Sequence, residues 1–228
     1  MLGSKCYPDL SGPQRIVQIV NCQIVKYTMT RIGLLSDTHG LLDKRVLEHF
    51  RDVDEIWHAG DIGSAEVLQR LREFKPTRAV FGNMDSGDVR YSLSEFYRFR
   101  VEDVNVLMTH IGGYPGKYNP WLIRWFEQSR QAKAKDDLRR TKDDLSPADA
   151  SKIEVPSESA TDRHNIIDLF VCGHSHILKV MYDKHYGFLT MNPGAAGKQG
   201  WQTVQTLLRF AIDGKEIKDL EVIELDRK

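Results

Sequence analysis

Short apolar runs, each ending on a polar residue and followed by a helical stretch, constrain this chain more than any other feature. RIGLLSDTH (31–39) comes first and leads into LLDKRVLEHFRD (41–52). EIWHAGD (55–61) precedes AEVLQRLREF (65–74), and TRAVFGN (77–83) follows. VNVLMTH (104–110) and DLFVCGHSH (168–176) repeat the pattern further along. Apolar runs bounded by Gly, Asp and Asn read as buried strands, and strands alternating with helical periods predict βαβ units. Open sheets of that kind present ligands at the carboxyl ends of their strands. Here those ends carry Asp, His and Asn.

The later part of the chain has a different rhythm. TLLRFAI and KEIKDLEVIEL flank Asp213-Gly214, a hairpin signal. YSLSEFYRFRVEDVNVLMTH (91–110) predicts consecutive strands around Glu102-Asp103. The fold class is therefore mixed α/β, with parallel units early and antiparallel pairs later. Between them, residues 117–165 form a long helical and loop segment. NPWLIRWFEQS predicts an amphipathic helix in which Trp121 and Trp125 fit either a core face or a lid or dimer contact. QAKAKDDLRRTKDDL reads as a solvated helix, and the Ser-, Pro- and Ala-rich residues 146–162 as a loop.

The organisation expected is one domain over residues 29–228. Residues 1–28 carry a short, interrupted apolar patch without the pattern of a signal peptide. They are expected to be an extension upstream of a natural start at Met29. Lys+Arg and Asp+Glu are both 32, so nothing predicts general binding to nucleic acid. No apolar run approaches the roughly 18 residues of a membrane span. Three scattered cysteines (Cys6, Cys22, Cys172) lack paired spacing, which points to a reducing compartment, the cytoplasm.

The strand ends together supply Asp37 and His39 (SDTH), Asp61 (AGD), Asn83 (GNMD), His110 (LMTH), and His174 and His176 (GHSH). Each alone has an ordinary reading as a helix cap, a turn residue or a packed imidazole. Together they form an ordered set of carboxylate, amide and imidazole donors suited to divalent Mn, Fe, Co, Ni or Zn. Seven side chains exceed one ion and suit two bridged by a carboxylate, an arrangement that serves phosphoester hydrolysis.

The series D-x-H, G-D, G-N, T-H and G-H-S-H, followed by the N-P-G of MNPGAAG, resembles the calcineurin-like metallophosphoesterases. Within them it is most similar to the small YfcE-type phosphodiesterases. The resemblance runs from about Arg31 to the C-terminal hairpin. It implies a four-layer αββα sandwich of two mixed β-sheets. It also implies that Asp37, His39 and His176 hold one metal, that Asp61 bridges, and that Asn83, His110 and His174 hold the second. Manganese is the expected metal. A metal-bridging hydroxide held by Asp61 would be the nucleophile on a small phosphoester substrate, with a phosphodiester favoured over a monoester. Many relatives place a histidine after the metal-binding asparagine to protonate the leaving group; here Met84 stands there, and a thioether donates no proton. Asp85 is the remaining side chain nearby that could transfer one.

The same resemblance carries two other readings: a catalytically weak scaffold like the retromer subunit, or a regulatory nucleotide-binding protein. A homo-oligomer is compatible with either. His58 alternates away from the strand-end face and reads as core or as a support for the ligands. His49, His164 and His185 read as structural, and Lys117 and Lys198 as solvated surface that could touch substrate phosphate. Gly112-Gly113-Tyr114 and Asn192-Pro193-Gly194 read as loops that bring backbone close to the site.

Overall fold

The computed structural model describes residues 29–146, 149 and 165–227, with the backbone of 17–20 and 23–26. Strands β1 (Val17–Val20) and β2 (Gln23–Lys26) form an antiparallel pair. The rest of the segment before Met29, most of the 146–162 loop and His164 lie outside the described residues.

The early apolar runs become β3 (Thr30–Leu35), β4 (Glu55–His58) and β5 (Thr77–Ala79), paired in parallel. Between and after them lie α1 (Lys44–His49), α2 (Ala65–Phe74) and α3 (Gly87–Ser92). The first helix is shorter than its periodicity suggests. Asp43 takes the N-cap and accepts from the Arg45 N–H at 2.9 Å, which excludes Leu41 and Leu42 from the helix. Strands β6 (Phe96–Val101) and β7 (Val104–Thr109) form the expected hairpin, although Tyr91 and Ser92 finish α3.

A two-residue ribbon, β8 (Gly113–Tyr114) with β9 (Lys117–Tyr118), leads into α4 (Pro120–Asp143). Then come β10 (Leu169–Val171), β11 (Leu178–Asp183), β12 (Phe188–Pro193), β13 (Val204–Asp213) and β14 (Glu216–Asp226). The first sheet has the order β14-β13-β3-β4-β5 and the second β11-β12-β10-β7-β6. Both are mixed. Parallel pairing is not confined to the early half, because β10 lies parallel between β7 and β12. The long α4 carries the chain from one edge of that parallel pair to the other, the crossover a parallel pair requires.

Strand alternation divides the core into three apolar layers. Ile32, Leu34, Trp57 and Phe210 of the first sheet meet Val104, Val106, Met108, Val171 and Met191 of the second. On the outer face of the first sheet, Leu35 and Ile56 pack against Val46 and Phe50 of α1 and its cap, Val67 and Leu71 of α2, and Val89 of α3. On the outer face of the second, Leu107, Phe170 and Phe188 pack against Leu122 and Phe126 of α4. The result is the four-layer αββα sandwich, with two mixed sheets facing one another. The aromatic half of α4 is core on one side: Phe126 is fully buried, while Trp121 and Trp125 bracket Phe96 at the margin. Its charged half is the solvated helix expected. Among the described residues no helix is long and apolar enough to cross a membrane.

Candidate metal centre

The parallel strands of both sheets end at one edge of the sandwich, and the loops that leave them are stitched together by backbone hydrogen bonds. Asp37 N–H donates to Gly60 C=O at 3.0 Å and His39 N–H to Asp61 C=O at 3.0 Å. Gly173 N–H donates to His110 C=O at 3.0 Å and Gly197 N–H to Asp37 C=O at 2.9 Å. These bonds hold an unusual backbone. Asp37, His39, Asp61, His174 and His176 all have positive φ, at 56°, 49°, 53°, 67° and 57°. For non-glycine residues that conformation costs on the order of 1–3 kcal/mol each and persists only where the surroundings impose it. Two positions beneath the loops have room for no side chain. A Cβ on Gly82 would meet Asp61 Oδ1 at 2.1 Å, and one on Gly173 would meet Ser36 Oγ at 2.0 Å.

Six of the seven expected donors gather in two groups, Asp37–His39–His176 and Asp61–His110–His174. Within each group the ligand atoms lie within 4.8 Å of one another. Asp37 is central and fully buried. Its Oδ2 accepts from the Ser36 hydroxyl at 2.6 Å and the His174 N–H at 3.2 Å. Its Oδ1 has no hydrogen-bond partner, yet faces His176 Nε2 at 3.1 Å and His39 and His110 Nε2 at 3.9 Å each. His39 and His176 bring their Nε2 atoms to 3.3 Å. His110 Nδ1 lies 2.8 Å from the Ala59 carbonyl; a carbonyl only accepts, so Nδ1 carries the proton and Nε2 presents its lone pair. That Nε2 is buried and, although 3.1 Å from Asp61 Oδ2, makes no hydrogen bond in this orientation.

Asn83 is the seventh donor. It sits exposed in the turn between Gly82 and Met84, and the Met84 N–H donates to Asp61 Oδ1 at 2.8 Å, which seats that turn beside the second group. Asp85 is placed differently from a proton-transfer group. It is buried, and its carboxylate accepts from three backbone N–H groups: Gly82 at 2.8 Å, Ile62 at 3.1 Å and Gly63 at 2.7 Å. It ties the Asp61 loop to the Asn83 loop.

Proton affinities follow from this packing. Burial works against a charged His110, but Asp61 and Asp37 beside it outweigh burial and raise its pKa. Burial likewise opposes charge on Asp61, and His110 with the Met84 N–H overcomes it and lowers that pKa. The Asp37 contact raises His176. Burial, with the neighbouring His110, lowers His174. Burial pushes Cys172 up to about 12, so it stays a thiol.

Three supporting residues were not evident from the sequence. Ser36 orients Asp37. Asn192 donates to Gly173 C=O at 2.8 Å and Ser175 Oγ at 3.1 Å, and so clamps the His174–His176 loop. Thr38 Oγ1 donates to Ile62 C=O and accepts from His58 Nε2, each at 2.9 Å. The only signal for them was adjacency to a donor or to the N-P-G turn.

The calcineurin-like phosphoesterase superfamily domain matches residues 30–215, a span that contains both donor groups. This chain belongs to that superfamily. It is 37% identical over 92 residues to a probable metallophosphoesterase of Methanothermobacter thermautotrophicus, covering 37% of this chain and 51% of that protein. It is 42% identical over 59 residues to the probable metallophosphoesterase MJ0623 of Methanocaldococcus jannaschii, covering 24% of this chain and 31% of that one. The matches thus span half the length of one curated relative and a third of the other. Zinc-complexed Vps29 of Entamoeba histolytica shares the fold, with a TM-score of 0.53 at 14% identity over 86% of this chain and 99% of that one.

The calcineurin-like superfamily uses divalent metals, and the donors here fit such ions. Asp37 Oδ1 and His110 Nε2 are buried polar atoms without partners, and orphans of that kind in a native interior call for an explanation. A cation held by each donor group would satisfy these atoms.

His58 shows how the calcineurin-like scaffold stiffens the centre. Its Nδ1 accepts from the Gly60 N–H at 3.2 Å and its Nε2–H donates to Thr38, so the ring is neutral and fully used. Complete burial pushes its pKa down to about 4. The unfolded chain takes up this proton near pH 6.5 and the native state only near pH 4. The contribution of His58 is therefore present above pH 6.5 and lost as pH falls toward 4, by about 3 kcal/mol in all. Urea unfolding of the metal-free protein and of His58→Gln across that range measures it. Their stability difference should shrink by that amount; a constant difference would rule out the assigned neutral state.

Proposed function

We propose that this chain hydrolyses phosphoesters, phosphodiesters before monoesters, with two divalent cations seated by the two donor groups. The observation that carries the reading is Asp37 Oδ1, buried without a partner among three imidazole nitrogens and beside a second carboxylate–imidazole group. Bound there, the cations would supply Lewis acidity toward phosphoryl oxygens and a water acidic enough to ionise near neutral pH. The protein's own groups do the rest. Ser36 and the His174 N–H hold Asp37 in one rotamer, and the Ala59 carbonyl holds His110 with Nε2 inward. Asp61, oriented by the Met84 N–H, is the carboxylate that would be shared between the two cations.

Manganese is the first ion to supply, with Fe, Co, Ni and Zn also compatible with these donors. The substrate we infer is a small phosphoester, and the proposed setting is the cytoplasm, with no membrane or general nucleic-acid partner. Metal content alone does not separate an enzyme from a scaffold. Turnover does. Manganese-loaded protein should cleave bis-p-nitrophenyl phosphate faster than p-nitrophenyl phosphate, and Asn83→Ala and His110→Ala should abolish both. Metal-loaded protein without turnover across diesters and monoesters would overturn the reading in favour of a scaffold.

The Met84 side chain, 61% exposed and unable to donate a proton, adds a second expectation. General-acid assistance is typically worth 10²–10⁴-fold. Without it the rate should fall steeply as the leaving alcohol becomes less acidic. Kinetics on aryl esters of graded leaving-group pKa test this, and equal rates across the series would sink it. Met84→His should flatten the dependence.

A further inference from the structure

The loops around the metal centre expose apolar side chains just beyond their donors. Leu41 follows His39 by two residues, Met84 follows Asn83, Ile111 follows His110 and Ile177 follows His176, and all four are exposed. Singly, exposed apolar residues need no explanation. Four of them, each within two residues of a donor, bring apolar surface to one polar centre, and apolar surface with polar neighbours marks a binding site.

Trp201 is the most exposed of all, with its full residue surface open to solvent. It is also placed, because the loop that carries it lies against the centre. A Cβ on Gly200 would come within 2.4 Å of His176 Nδ1, and the Gln199 carbonyl bonds the same histidine. Arg227 props the loop from the far side, donating to Gln199 C=O at 3.1 Å and Gly200 C=O at 3.2 Å. Gly197 N–H is bonded to the Asp37 carbonyl. The indole thus follows directly on a backbone anchored to two metal donors, while the ring itself rests on nothing. Tryptophan rings in folded proteins are usually covered over most of their surface, and an amphipathic ring left open beside a polar site is suited to stacking.

We propose that Trp201 forms the subsite for the organic arm of the substrate. That arm is a planar aromatic group, an aryl or nucleobase-bearing ester, stacked on the indole while its phosphoryl group sits at the donors. The inference rests on the phosphoesterase reading and narrows its substrate class. The occupant follows from continuity: the loop that carries the ring is bonded to Asp37 and His176, so a ligand held at those donors is positioned to use it.

Phenylphosphonate and methylphosphonate share a head group and differ in the ring. Calorimetry on manganese-loaded full chain should find phenylphosphonate the tighter ligand by about tenfold, the scale of one ring stacked on an aromatic side chain. Trp201→Ala should bring the ratio close to one with methylphosphonate unchanged, and Trp201→Phe should keep most of it. A ratio near one in the native protein, or one that survives Trp201→Ala, would overturn the subsite. So would a native ratio near one combined with a change in sedimentation in Trp201→Ala, which would assign the ring to a contact between copies. Failure of both phosphonates to bind would overturn the phosphoesterase reading, a result distinct from failure of the subsite alone.

Discussion

Asp37→Asn should lose the metal held by the Asp37–His39–His176 group and about 10³-fold in phosphodiester turnover, with little change in metal-free stability. The reason lies in how the carboxylate is divided. Oδ2 accepts from the Ser36 hydroxyl and the His174 N–H, so an amide in its place must turn its oxygen there to keep both bonds. Its NH₂ then occupies the position of Oδ1, facing His176, His39 and His110. A buried acceptor at the focus of the site becomes a donor, and an NH₂ group coordinates no cation. Several kcal/mol of charge stabilisation is the usual contribution of a catalytic metal, and each 1.36 kcal/mol is a factor of ten in rate. Metal content after gel filtration and kcat/KM on bis-p-nitrophenyl phosphate check the two halves. A variant that keeps full metal occupancy and native turnover would remove Asp37 from the centre of the site.

Asp85→Ala should have the second largest effect, and it should fall on stability. Removing the carboxylate leaves the N–H groups of Gly82, Ile62 and Gly63 without an acceptor beside the site. Stranding buried donors costs about 1–3 kcal/mol per group, partly relieved where water enters, so a loss of about 3 kcal/mol is expected. For a domain of this size that corresponds to a fall in Tm of roughly 6–12 °C. The Asp61 and Asn83 loops would also lose their tie, and removing such outer supports typically weakens metal affinity 10–100-fold. A proton-transfer role predicts the opposite pattern: unchanged Tm and a steeper dependence on leaving-group acidity. Thermal melts and manganese titration of the variant separate the two, and an unshifted melt would refute the clamp.

Much of the fold was legible because it rests on local patterns. The buried runs at Ile32–Leu35, Ile56–Trp57 and Val104–Met108 are apolar on both faces, as strands covered on both sides must be. The turns at Glu102-Asp103 and Asp213-Gly214 are written in adjacent residues. The parallel placement of β10 between β7 and β12 was not legible, since a strand of three residues carries no signal of its neighbours. Nor was the start of the first helix, where one capping bond at Asp43 outcompetes the apolar period before it.

The centre divides in the same way. Residue type and position at strand ends were enough to single out Asp37, His39, Asp61, Asn83, His110, His174 and His176, because open α/β sheets present ligands there. The part taken by Asp85 could not be read from its neighbours. It depends on the backbone N–H groups of Ile62 and Gly63, more than twenty residues away, and only folding brings them within 3.1 Å. Asn192 is alike in this: its partners Gly173 and Ser175 belong to a different segment of the chain.

The sequence by itself determined which chemical groups this protein can bring to a metal and which it lacks, since donor types and the Met84 substitution are covalent facts. Only the tertiary structure decided which oxygen of Asp37 is left free, which nitrogen of His110 faces inward, and which carboxylate is held by backbone N–H groups. Those outcomes depend on hydrogen bonds between segments far apart in the chain, and their geometry exists only once the two sheets have packed face to face.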